Sequence, residues 1–110
     1  MTRSQPEVLA LNREEQVRVV SESFAALAAA VEAREQAQVT AALTAARELC
    51  AWIAPHQAEA VRSLLNDLLQ RLQVWQEVWP RLGNDAGFRT AIIRESRLWS
   101  AKLRTEHQKK

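Results

Sequence analysis

Cys50, His56 and His107 are the chain's only thiol and its only two imidazoles, hence its only candidates for a thiol nucleophile, an imidazole base or a soft metal ligand. A thiol nucleophile needs a base in reach, and His56 is the nearest. The two lie six positions apart across an Ala54-Pro55 break, and Cys50 falls on an apolar seam, where a buried, inert thiol is expected. His107 sits in a terminal segment with nothing apolar to hold it. No metal-ligand spacing joins these residues, and no Glu-x-x-His pair occurs that could arm a helix for metal. Glu14, Glu15 and the other carboxylates fall on outward positions and read as solvated faces. The only glycines, Gly83 and Gly87, belong to a turn and a first helical turn, so no phosphate-cradling loop is formed. These patterns argue against an enzyme, a cofactor or a metal site.

Binding is the better prospect. Trp75, Trp79 and Trp99 lie in phase with apolar seams and read as core. Trp52 points away from its own helix's stripe at about 100° per residue, so it either covers an end of the domain or stands in an exposed contact patch. Basic charge gathers late: the net charge is only +2, yet residues 81–110 hold eight Lys and Arg against three acids. Arg94, Arg97, Arg104, Lys109 and Lys110 could therefore meet phosphates, although no aromatics are interleaved with them and a solvated basic face is the plainer reading.

The elements that must position these residues are all helical. No glycine or proline occurs between Glu7 and Ala54, and turns and strands draw on those residues. Ser4 with Glu7, and Asn12 with Glu15, have the spacing of capping boxes. A short turn carrying Val8, Leu9 and Leu11 precedes a main helix from about Arg13, with the seam Val17, Val20, Phe24, Leu27 and Val31. The seam resumes, shifted, at Val39, Leu43, Ala46, Cys50 and Ile53. Either the chain turns within residues 34–38 or one helix of about 40 residues, roughly 60 Å long, runs through. The turn is favoured, because so long a helix would need a second copy to cover it. A third helix follows Pro55 with Val61, Leu65, Leu68, Leu72, Trp75, Trp79 and Leu82 inward, widened by Leu64, Leu69 and Val78, and Pro80 with Gly83 should end it. A fourth, capped by Asn84 or Asp85, turns Phe88, Ile92, Leu98, Trp99 and Leu103 inward.

The expected fold is all-α: an antiparallel four-helix bundle over residues 13–105, with a short capped segment 1–12 and a frayed basic tail 106–110. The alternative is a long first helix in a three-helix, dimeric arrangement. The expected function is non-catalytic protein–protein interaction through apolar helix surfaces, as an adaptor, chaperone-like protein or assembly factor, with another protein or a second copy as partner. Trp52, Val8, Leu9, Leu11 and Val78 are the candidate contacts. Nucleic-acid binding by the last helix is the alternative. A lone cysteine, no leader and no apolar run near the roughly 20 residues of a membrane span point to the cytoplasm.

Overall fold

The computed structural model describes residues 4–108, with side chains through residue 105. Among them are five α-helices, one 3₁₀ turn and no strand: α1 (Gln5–Leu9), α2 (Arg13–Ala33), α3 (Gln36–Ile53), the 3₁₀ turn Ala54–His56, α4 (Glu59–Leu82) and α5 (Ala86–Gln108). The tail expected to fray from residue 106 is helical through Gln108.

Both N-terminal boxes form. Asn12 Oδ1 accepts from the Glu15 amide at 2.8 Å and Glu15 reaches back to the Asn12 amide. At α1 the Ser4 hydroxyl also donates to the Glu7 carboxylate at 2.8 Å, and the same carboxylate accepts from the Ser4 amide. Asp85, not Asn84, caps α5, accepting from the Phe88 amide at 2.8 Å.

The chain turns at Arg34 and Glu35, which excludes the single long helix. The longest dimension is 39 Å, and a helix of 40 residues would outrun it by about half. The turn is made without glycine: Arg34 adopts φ 59°, ψ 32°, the left-handed conformation. A side chain there meets the backbone, a cost of about 1 kcal/mol that glycine avoids. Arg34→Gly should therefore raise stability by up to about 1 kcal/mol in chemical denaturation; a loss would mean that the Arg34 side chain contributes more than its backbone strain costs.

Pro80 does not end α4, which continues to Leu82. Proline this close to a helix end removes a single backbone bond, and the Gly83 amide still closes on the Trp79 carbonyl at 2.8 Å.

One core runs through the molecule: Val20, Phe24, Leu27 and Val31 meet Val39, Leu43, Cys50 and Ile53, then Leu65, Leu68, Leu72, Trp75 and Trp79, with Ile92 and Leu103 from α5. α2 is the centre, packed against both α3 and α5, while α4 packs against α3. The seam of α5 differs from expectation. Its buried residues are Ile92, Ser96, Ser100 and Leu103, spaced by four, four and three. Leu98 lies across the helix from that line and is 60 % exposed. Leu82, expected inward, is 44 % exposed; it is the last residue of α4, where the Asp85 amide already folds back onto its carbonyl at 2.9 Å.

Two buried polar contacts hold the helices in register. Ser21 of α2 donates to the Ser100 carbonyl at 2.8 Å, Ser100 donates to the Ser21 carbonyl at 2.9 Å, and the hydroxyl oxygens are 3.0 Å apart. Side chains this small let α2 and α5 approach closely, and the reciprocal bonds satisfy hydroxyls that would otherwise be costly to bury. At the other end, Gln16 Nε2 donates to the carbonyls of Leu11 and Val8, while Gln57 Nε2 donates to Gln16 Oε1 at 2.9 Å and to the Arg13 carbonyl. Two amides thereby tie the end of α1, the start of α2 and the turn before α4.

Candidate functional site

Small residues draw α5 toward α2; large ones hold it away from α4. Phe88 and Trp99 of α5 face Trp75 and Trp79 of α4, and the Trp79 and Phe88 rings meet tilted, with centroids 6.2 Å apart. Although α4 and α5 are consecutive, they share no close-packed backbone interface of the kind that joins α5 to α2. Helix separation follows the side chains at the contact. The result is a groove of about 530 Å³ lined by Asp67, Leu68, Gln70, Arg71, Val74 and Trp75 from α4 and by Trp99 from α5. Arg71 Nη1 spans it to Glu95 Oε1 at 2.6 Å, and Lys102 lies 5.0 Å over the Trp99 ring.

Two large apolar side chains stand in solvent beside this groove, Val74 at 55 % and Leu98 at 60 % exposure. Leu98 follows Glu95 by three positions, so it sits one turn along the same wall of α5. Half-buried Val78 follows Val74 by four. Buried donors are left without partners nearby: Trp79 Nε1 and Trp99 Nε1 make no hydrogen bond.

Gly83 packs directly against Trp79. A Cβ there would lie 2.9 Å from the Trp79 carbonyl and 3.0 Å from its indole Cε2. Because that indole is held by Phe88, Gly83→Ala should cost about 1–2 kcal/mol by thermal or chemical denaturation, despite alanine's better helix propensity; an unchanged melting temperature would show that the ring can move aside.

The expected contact residues separate. Val8 is fully buried and belongs to the core, a correction to the N-terminal contact patch: α1 docks on α3, and Gln16 satisfies its last carbonyls. Leu9 is half-buried and Leu11 packs against the core. Trp52 is also half-buried and packed against the core, a cover for one end that keeps an open edge. Val78 is half-buried, one turn beyond Val74, and none of the five is among the residues that line the groove. Val74, which sequence reasoning missed, has one signal in the sequence: it is a large apolar residue outside the seam of α4.

The basic residues do not form one cluster. Arg97 pairs with Glu32, Arg89 donates to the Gly83 carbonyl, and Lys102 covers Trp99. Arg94 and Arg104 are exposed; Lys109 and Lys110 lie outside the described residues. Cys50 is buried, and desolvation pushes its thiol from 9.0 to about 12, so at neutral pH it carries no thiolate for attack or metal binding. Among the described residues no group of His, Cys, Asp or Glu could hold a metal ion, and no helix is long and apolar enough to cross a membrane. Comparison with protein-family models, curated proteins and solved structures finds no match for this chain.

Proposed function

We propose that this chain is a non-catalytic protein-interaction module, an adaptor, chaperone-like protein or assembly factor, that works from the α4–α5 face of an antiparallel four-helix bundle made by α2 to α5. The observation that carries this reading is the groove held open by aromatics, with Val74 and Leu98 exposed beside it. Apolar side chains of this size, gathered at a concave surface with polar residues around it, gain from being covered. The reading sets the protein in a reducing cytoplasm, where the single buried thiol stays reduced.

The test is affinity capture from native cells with wild type and the double variant Val74→Glu, Leu98→Glu, each with and without nuclease. Both positions are exposed, so stability should change by no more than about 0.5 kcal/mol, checked by thermal melts. The expected result is a protein retained by wild type, indifferent to nuclease and lost from the double variant. Equal recovery by the variant would overturn the reading. Recovery that collapses with nuclease would move the function to nucleic-acid binding by Arg94 and Arg104, with the steep salt dependence that phosphate contacts impose.

A further inference from the structure

We infer that the α4 face receives a second copy of this chain, packed antiparallel about a two-fold axis at Val74. The inference rests on the interaction-module reading and names its partner. At 100° per residue, Asp67, Gln70, Arg71, Glu77, Val78 and Arg81 all lie within about 60° of Val74, on the side of α4 opposite buried Leu65 and Leu72. The stripe is self-complementary in one direction only. Asp67 and Arg81 each stand seven positions from Val74, roughly 10 Å along the axis, and neither has an ionic partner among the described residues.

Antiparallel pairing on Val74 sets Asp67 against Arg81 of the partner subunit, and Arg81 against Asp67 of the partner subunit. Arg71, already held by Glu95, and Glu77 lie on opposite edges of the stripe, about 60° to either side of Val74, so the central Asp67–Arg81 pairs carry the complementarity. Val74 meets its own copy. A parallel pairing in the same register would instead oppose Asp67 to Asp67 and Arg81 to Arg81. A two-fold contact requires one surface to complement itself, and this stripe meets that requirement. Exposed ion pairs add little affinity but impose orientation and penalise mismatches; the apolar residues Val74 and Val78 of the stripe supply the driving force.

The experiment is sedimentation velocity on the purified full chain as wild type, Asp67→Arg, Arg81→Asp, an equimolar mixture of those two, and both changes in one chain. Wild type should dimerise. Each single reversal places like charges together twice per dimer and should weaken association about tenfold or more. Mixing the two singles should restore a dimer, since their charges then oppose correctly, and the doubly reversed chain should pair with itself again. All three variants alter exposed positions, and circular dichroism checks that each folds. A dimer indifferent to the reversals would overturn the inference by placing the contact elsewhere. A wild type that stays monomeric to its solubility limit also overturns it: if the Val74→Glu, Leu98→Glu variant still loses a captured protein, the module reading survives with a different partner, and if nothing is captured both fail.

Discussion

Between pH 9 and pH 12 the native chain is expected to lose on the order of 4 kcal/mol of stability through Cys50 alone. The folded thiol titrates near 12 and the unfolded thiol at 9.0, so protonation is retained on folding. The sign follows: a group with a raised folded pKa contributes its full stability below the unfolded value, here below pH 9. That contribution falls by about 1.4 kcal/mol per pH unit until the folded thiol also ionises. Denaturant midpoints measured from pH 8 upward for wild type and Cys50→Ala separate this effect from lysine titration, because both proteins carry the same lysines. The variant starts less stable, having lost a buried side chain, and the two curves should converge as pH rises. Parallel curves would show that the thiol reaches water in the folded state. Thiol-labelling reagents should likewise react with Cys50 only as fast as the protein opens.

Ser100→Leu is expected to destabilise the protein by about 2–4 kcal/mol, whereas Ser100→Ala should cost only about 1 kcal/mol. Most core positions respond the other way, suffering more from truncation than from an added methylene. The inversion arises because Ser21 and Ser100 exchange hydrogen bonds with one another's backbone, a geometry that needs the two helices close. Leucine has no room there and must push α5 outward. Alanine keeps the spacing and removes one hydroxyl, leaving Ser21 its bond to the Ser100 carbonyl. Urea denaturation of both variants checks the prediction. A leucine variant as stable as the alanine variant would mean that α5 can slide away from α2 at little cost.

These two sites also show where sequence reading stops. The helices themselves were legible because their information is local: missing glycine and proline, capping pairs, and large residues at three- and four-residue intervals. The break within residues 34–38 left a trace in the phase shift of the seam, but with no glycine or proline there a continuous helix stayed open as the alternative until Arg34 was seen in the left-handed conformation. The side of α5 that faces α2 could not be read from an apolar pattern. Ser96 and Ser100 carry the buried line, and serine counts as polar until its partner across the interface is known. Leu98 was assigned inward for the same reason, because hydrophobicity drew it into a line that serines occupy. The Gln16–Gln57 bond joins residues 41 positions apart, and Gly83 is constrained by an indole whose position depends on Phe88. The groove itself depends on the contrast between small residues on one side of α5 and aromatics on the other. That contrast becomes visible only once both neighbours of α5 are known.

The contact between Ser21 and Ser100 spans 79 residues of sequence, which has a consequence for the order in which the chain can assemble. The pairs α2–α3 and α3–α4 are neighbours in sequence and close short loops, whereas seating α5 on α2 joins nearly the two ends of the domain. During synthesis α2 is complete long before α5 leaves the ribosome, and its serine and alanine face has no cover until the final quarter of the chain emerges. The nascent protein therefore passes through a stage that holds only α1 to α4 and leaves one side unsealed. A release stalled ahead of α5, or a stop codon within it, should yield a chain that is helical and collapsed but open to proteases along α2.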